Sequence, residues 1–172
     1  MKLALNLGCG VKPFKSTPEI EWQNIDILPG TGVDLVLDWQ HLEEHWSGQP
    51  IDLIVAEHSY EHVNCGMQPI KQCYGVLKDG GSLIVSVPDL RKLAYLWLRG
   101  ELSTQIYLTS IYGPFDGTDG SMHRWGFDRE YLMEQLRREA PWSRVIDFDY
   151  RAIPGADIAN DERWILCLEA IK

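Results

Sequence analysis

The chain has 172 residues, an apolar share of 45% and a formal net charge of −9, from 25 acidic against 16 basic side chains. This length is that of one ordinary domain, so we expect a single domain across residues 1–172, and the negative charge works against nucleic acid bound mainly through its phosphates. The cysteines form no C-x-x-C pair, no room is left for a secretory signal before Cys9, and no later segment approaches a membrane span. We therefore expect a cytoplasmic protein with reduced thiols and neither a membrane nor a nucleic-acid partner.

Short apolar runs in the first half predict β-strands, because turn or helix signals follow each of them. Near-continuous apolar strands that alternate with helices are typical of a parallel sheet covered on both faces. The sequence thus predicts an α/β, Rossmann-like, doubly wound fold with a mostly parallel sheet of about seven strands. The first five predicted strands are Leu3–Leu7, Trp22–Ile27, Val33–Leu37, Ile51–Ala56 and Ser82–Val87.

Helical periodicity follows the fourth strand, beginning near Tyr60 and continuing to Leu77, and we expect Gly80 or Gly81 to end this helix in a left-handed conformation. Further helices and two last strands follow, and the short connection of those strands predicts an antiparallel carboxyl-terminal hairpin. Asp128 is placed to cap the last helix. These elements are the helices Leu90–Leu98, Glu101–Tyr112 and Asp128–Arg138 and the strands Arg144–Tyr150 and Arg163–Ile171.

A glycine turn, Gly8-Cys9-Gly10, follows the first strand, and the second strand reaches Asp26. Glycines let backbone approach a ligand, and an acid about twenty residues on can bind both hydroxyls of a ribose. A dinucleotide also needs a third glycine and a helix for its pyrophosphate, but Lys12 occupies that position and prolines interrupt the stretch that follows. A cofactor with ribose and adenine but no phosphate suits this turn better, so an NAD-dependent enzyme ranks last.

The stretches "LNLGCG", "LKDGGSLIVSVPD" and "HRWGFDREYLMEQL" resemble the class I S-adenosylmethionine-dependent methyltransferases, particularly small bacterial members. The resemblance covers most of the chain and implies S-adenosylmethionine as the cofactor. It places the glycine turn under the amino-acid portion, Asp26 on the ribose, and Asp38 with the Trp39 N–H at the adenine edge. The implied cofactor-binding set is Leu7, Gly8, Cys9, Gly10, Asp26, Ile27, Asp38, Trp39, Glu57 and His58.

Two of these residues also have possible structural roles, and the chain departs from the family pattern at one place. Asp26 can instead cap a turn, and Asp38 can instead cap a helix that starts at Trp39. The departure is the connection after Gly10, where most relatives have a full helix and this chain has little helical periodicity.

His58, Glu61 and His62 spell H-x-x-E-H, a pattern of zinc peptidases in which both histidines must lie on one helical face. A strand precedes His58 and the helix begins only near Tyr60, so the two imidazoles need not converge. The pattern also occurs a second time, from His41 to His45. We predict no metal site; Glu57 and His58 line the cofactor or acceptor, and Glu61 and His62 are mainly structural.

Methyl transfer to oxygen or nitrogen is an in-line displacement, in which the protein aligns the partners and removes a proton from the acceptor. His123 is the first candidate for the base that removes this proton, and His58 is the second. Asp89 could orient the acceptor. The alternatives are a loop-anchoring role for His123 with Arg124, and a backbone-bonded loop histidine at His58.

The sequence therefore predicts an S-adenosylmethionine-dependent methyltransferase that acts on an oxygen or nitrogen atom of a small-molecule or sugar-like acceptor. A non-catalytic S-adenosylmethionine-binding protein of the same fold is the first alternative. A zinc-dependent hydrolase that uses the H-x-x-E-H residues is a weaker one. The oligomeric state stays open.

Overall fold

The computed structural model describes residues 1–64, 67–114, 119–153 and 163–172, and in these ranges seven strands form one sheet in the order β3-β2-β1-β4-β5-β7-β6. The first five strands are parallel, whereas β7 is antiparallel to both β5 and β6. The predicted mostly parallel sheet and the antiparallel carboxyl-terminal pair are confirmed. The strands are β1 (Lys2–Leu7), β2 (Ile20–Asp26), β3 (Leu35–Val36), β4 (Ile51–Glu57), β5 (Leu77–Pro88), β6 (Arg144–Asp147) and β7 (Ile165–Ile171).

In the described residues α-helices follow β3, β4 and β5, and single 3₁₀ turns lie between some of the elements. Asp128 caps the last helix by accepting from the Tyr131 N–H at 2.9 Å, as predicted. The α-helices are α1 (Leu42–His45), α2 (Pro69–Val76), α3 (Leu90–Leu98), α4 (Thr104–Tyr112) and α5 (Arg129–Glu139). The 3₁₀ turns are Trp39–His41, Tyr60–His62, Asp119–Ser121 and Tyr150–Ala152.

The predicted long helix after β4 is wrong in its bounds. Tyr60–His62 forms one 3₁₀ turn, α2 begins only at Pro69, and the chain enters β5 at Leu77 because Leu77 pairs with Ile51 of β4. Gly80 has a left-handed φ of 77°, but it lies within β5 and does not end the helix.

The third strand is also shorter than predicted, for a reason visible in its neighbour. The Asp34 N–H donates to the Asn24 carbonyl at 2.8 Å, but the Asn24 N–H donates to the Asp34 carboxylate, also at 2.8 Å, so a side chain takes the place of one backbone acceptor there. Regular pairing with β2 therefore starts only at Leu35.

The two faces of the sheet are covered differently. Aliphatic side chains of the central strands pack on one face with buried residues of α1, α2 and α5, such as Leu42, Ile70 and Leu132. On the other face the strands pack against Phe14 in a loop, Tyr150 in a 3₁₀ turn and Ile153 directly after that turn. Three of the cysteines are buried free thiols, as expected, and Cys65 lies outside the described residues.

Residues 8–19 connect β1 to β2 without a helix, as the sequence predicts. A buried amide holds this connection: Asn24 Oδ1 accepts from the Phe14 N–H at 2.7 Å and from Asn6 Nδ2 at 3.0 Å. Asn24 Nδ2 donates to the Phe14 carbonyl at 3.1 Å and to Asp34 at 3.0 Å. One side chain thus satisfies polar groups that a helix would have satisfied internally.

No helix in the described part of the chain is long and apolar enough to cross a membrane. The cytoplasmic location stays a prediction.

We expect Asn24→Ala to lower the free energy of unfolding by about 2–4 kcal/mol, because it leaves the buried Phe14 N–H without its partner and removes one of the two hydrogen bonds of the Asn6 amide. Chemical denaturation measures this loss. Gln23→Ala is the matched control on the opposite face of β2, and we expect a change within about 0.5 kcal/mol. Equal losses in the two variants would contradict the role given to Asn24.

Candidate functional site

The glycine turn lies at the carboxyl edge of β1. Gly8 and Gly10 adopt left-handed φ angles of 66° and 51°, and the Cys9 N–H donates to the Ile25 carbonyl at 3.0 Å. This hydrogen bond holds the glycine turn next to the end of β2. Burial and the charge of Asp26 raise the pKa of the Cys9 thiol to about 11, so Cys9 is a neutral side chain under the turn.

Asp26 stands at the end of β2 and contacts the turn directly. Its Oδ2 accepts from the Gly10 N–H at 2.8 Å, and its Oδ1 accepts from the Leu28 N–H at 3.0 Å. The structure therefore brings together the predicted glycine turn and the predicted acid. Its contacts are also those of the turn-capping alternative, so its role toward a ligand stays a prediction.

Asp38 forms the N-cap of the Trp39–His41 turn, which is the alternative that the sequence left open. Its Oδ1 accepts from both the backbone N–H and the side-chain amide of Gln40 at 3.0 Å. Gln40 Oε1 in turn accepts from the Asn64 N–H at 2.6 Å. Trp39 is only 7% exposed and packs in the core. Contacts of these residues with an adenine stay predictions.

β4 ends at Glu57, which accepts a hydrogen bond from the Tyr150 hydroxyl. His58 follows with a φ of 48°, the one left-handed conformation at a described residue other than glycine. Such backbone strain clusters at functional sites. The Nδ1 atom of His58 lies 3.2 Å from Glu61 Oε1, so the imidazole is oriented by a carboxylate.

Glu61, which the sequence analysis placed in a mainly structural role, is a buried carboxylate surrounded by histidines. Its side chain is 1% exposed, and its Oε1 lies 3.2 Å from His58 Nδ1 and 4.0 Å from His123 Nε2. Burial alone would raise the pKa of Glu61, but the hydrogen bond and charge of His58 and the charge of His62 lower it. Glu61 is therefore an ionised carboxylate at the centre of three histidines.

The loop that carries His123 docks on the turn that carries Glu61. The Glu61 carbonyl accepts from the Arg124 and Trp125 N–H groups at 2.7 and 3.1 Å, and Trp125 Nε1 donates to the Val63 carbonyl at 3.0 Å. The loop-anchoring role suggested for His123 and Arg124 is thus present. No local pattern signals this contact, because it joins residues about sixty positions apart in the chain.

His123 is largely buried between these segments. Its Nδ1 donates to the Ser110 carbonyl at 3.0 Å, and its ring lies edge-on to that of His62 with 4.7 Å between the centroids. Burial lowers the pKa of His123, and nearby Glu61 offsets this only in part. The imidazole is therefore neutral near pH 7, as a proton acceptor must be.

Asp89 caps α3. Its Oδ1 accepts from the Arg91 and Lys92 N–H groups at 3.0 and 3.1 Å, and its side chain is 8% exposed. These contacts are structural, and orientation of an acceptor by Asp89 stays a prediction.

The H-x-x-E-H histidines do not share a helical face, as expected. His58 precedes a 3₁₀ turn and His62 ends it. One group in the described residues nevertheless has the composition of a metal site: Glu61 and His62 with His123, whose potential ligand atoms all lie within 4.8 Å of one another. The third member comes from outside the motif.

No protein-family model matches the chain, and no curated protein matches it either. Solved structures do. An S-adenosylmethionine-dependent methyltransferase from Archaeoglobus fulgidus is 15% identical with a TM-score of 0.63, over 99% of this chain and 86% of that one. The N-methyltransferase NodS from Bradyrhizobium japonicum, in complex with S-adenosyl-L-homocysteine, is 14% identical with a TM-score of 0.57, over 99% and 78%.

The plantazolicin methyltransferase BamL, in complex with a triazolic desmethylPZN analog and S-adenosylhomocysteine, is 13% identical with a TM-score of 0.60, over 99% of this chain and 77% of that one. At this level of identity, the likeness establishes that the chain has the fold of these methyltransferases.

We expect Gly8→Ala to destabilise the protein more than Gly10→Ala does. A Cβ at Gly8 would lie 2.5 Å from the Ser59 Cβ, whereas a Cβ at Gly10 meets nothing within 4 Å. Both variants carry the left-handed backbone penalty, so we expect losses of about 3 and about 1 kcal/mol in the free energy of unfolding. Urea denaturation measures both, and equal losses would show that Ser59 moves aside.

Proposed function

We propose that this chain is an S-adenosylmethionine-dependent methyltransferase that acts on an oxygen or nitrogen atom of a small-molecule or sugar-like acceptor. The observation that carries the proposal is the hydrogen bond between the Gly10 N–H and Asp26 at the carboxyl edge of the parallel sheet. Ligands of open α/β sheets bind at this edge. The likeness to methyltransferase structures that hold S-adenosylhomocysteine supports S-adenosylmethionine as the cofactor.

Asp26 fits the ribose. An ionised carboxylate has about four lone-pair sites, and the Gly10 and Leu28 N–H groups use two of them. The remaining acceptor sites suit the two hydroxyl donors of a ribose diol. Apolar side chains also stand unusually exposed beside this acid: Ile27 is 57% exposed and Val36 is 54% exposed. A flat adenine ring would cover such a surface.

The glycine turn fits an amino-acid portion better than a pyrophosphate. The space next to Gly10 is open, so a ligand can approach the backbone there. No helix starts after Gly10, and the ready-made phosphate site of a helix N-terminus is therefore missing. This geometry favours a nucleoside without phosphates over a dinucleotide.

S-adenosylmethionine, when bound, supplies a methyl group on a cationic sulfur. The chain's own task is then to align the acceptor in line with that methyl and to receive one proton. His123 and His58 are the proposed proton acceptors, and Asp89 is a proposed orienting group. The positive φ of His58 and its contact with Glu61 hold that imidazole at the end of β4.

The acceptor class rests on charge and on the resemblance. The net charge of −9 works against a nucleic acid bound through its phosphates. A non-catalytic S-adenosylmethionine-binding protein is the second candidate, favoured by the helix-free connection after Gly10.

Titration calorimetry with S-adenosylhomocysteine tests the cofactor site. We expect Asp26→Ala to weaken binding by about 10- to 100-fold, because it removes charged acceptors for the ribose hydroxyls. Asp79→Ala, an exposed acid at the start of β5 and so at the opposite edge of the sheet, is the matched control and should bind as the unchanged protein does. Binding unaffected by Asp26→Ala would refute the ribose role, and no binding at all would refute the proposed function.

Labelled S-adenosylmethionine and a panel of hydroxyl- and amine-bearing small molecules test turnover. We expect His123→Ala to lower kcat by about 100-fold with little change in cofactor affinity, because proton removal is lost. His41→Ala, in the second copy of the motif, is the matched control. Lost cofactor affinity with kcat retained would remove His123 from proton transfer, and binding without methylation of any acceptor would favour the non-catalytic candidate.

A further inference from the structure

The cluster of Glu61, His62 and His123 has the donor set of a divalent transition-metal site. One potential ligand atom of each residue lies within 4.8 Å of the other two. On a tetrahedral ion with bonds of about 2.0–2.1 Å, ligand atoms stand about 3.3 Å apart. The ligand atoms therefore need to approach one another by at most about 1.5 Å around an ion.

Backbone carbonyls fix the tautomers of both histidines. Nδ1 of His62 lies 3.0 Å from the Met122 carbonyl, and Nδ1 of His123 lies 3.0 Å from the Ser110 carbonyl. A carbonyl oxygen only accepts, so in the neutral form of each ring Nδ1 carries the proton and Nε2 presents a lone pair. Metal-binding histidines in proteins are oriented by the same kind of outer hydrogen bond.

Glu61 supplies a second and independent observation. Its side chain is 1% exposed, yet its Oε2 has no hydrogen-bond partner among the described residues. Leaving a buried polar atom unpaired is costly in free energy, and more so for a charged group. The other oxygen, Oε1, contacts Nδ1 of His58, which is where an outer-shell donor to a metal-binding carboxylate would stand.

We propose that Glu61, His62 and His123 bind a divalent transition-metal ion, with zinc as the first probe. Imidazole and carboxylate ligands suit zinc and its neighbours better than magnesium or calcium, which prefer oxygen alone. Three protein ligands leave a coordination position open for water or another oxygen ligand, as in catalytic zinc sites. The ion would join the turn after β4 to the loop of residues 121–125, at the same sheet edge as the glycine turn.

This metal site does not rest on the proposed methyltransferase function. It uses only Glu61 and His62 of the H-x-x-E-H pattern and takes its third ligand from His123, so it is not the helical peptidase site. A metal-bound Nε2 cannot also accept a proton. Zinc occupancy would therefore make His123 a ligand instead of a base.

Zinc titration by calorimetry on tag-free, chelator-treated protein tests the proposal. We expect stoichiometric binding, and we expect His62→Gln and His123→Gln to weaken it by about 100-fold or more, since even outer-shell changes cost 10- to 100-fold. His45→Gln, from the second H-x-x-E-H copy, is the matched control and should bind as the unchanged protein does. Because Glu61→Gln alters a buried group, circular dichroism must first show that this variant folds.

Two results would overturn the proposal. One is zinc binding that is equally weak, or equally strong, in the unchanged protein and in His62→Gln. The other is a loss of zinc binding in His45→Gln as large as in His62→Gln, which would assign the ion to exposed histidines. Titration of S-adenosylhomocysteine into zinc-free protein keeps the tests separate, because that affinity reports on the proposed cofactor site and not on Glu61, His62 or His123 as ligands of an ion.

Discussion

The pairing of β1 with β2 on one side and β4 on the other is the constraint on which both sites depend. Buried backbone groups must be paired, so the register is fixed: Leu7 lies beside Ile25, and Asn6 lies beside Val55. Three parallel strands consequently end at one edge. That edge carries the glycine turn, Asp26 and the turn that contains Glu61. Gly8 lies close to Ser59 there, where a Cβ on Gly8 would be 2.5 Å from the Ser59 Cβ.

Much of this architecture could be predicted from the sequence, because continuous apolar runs identify buried parallel strands. The mostly parallel sheet, its antiparallel carboxyl-terminal pair and the glycine turn beside Asp26 follow from that pattern together with the resemblance. Boundaries set by tertiary contacts could not be predicted. Leu77 fits a helical period but pairs with Ile51 instead, and the Asp34 side chain shortens β3 by taking the place of a backbone partner.

The cluster around Glu61 could not be predicted from the sequence for a different reason. Periodicity placed His58 outside the helix, and the structure agrees, since His58 precedes a 3₁₀ turn that His62 ends. What periodicity could not reveal is that a loop about sixty residues downstream would dock through the Glu61 carbonyl and bring His123 to the same carboxylate. The sequence of one segment shows which side chains could bind a ligand, but only the tertiary fold brings side chains of different segments, such as Glu61 and His123, together.

The connection between β1 and β2 is held in place by side chains. Asn24, Asn6 and Phe14 hold it through buried hydrogen bonds that are made entirely within the protein. The residues of this connection therefore lose their conformational entropy on folding. A ligand that binds at the glycine turn does not have to order a loop, so its affinity is not reduced by that cost. Association at this edge should then be a single-step encounter with a preorganised surface.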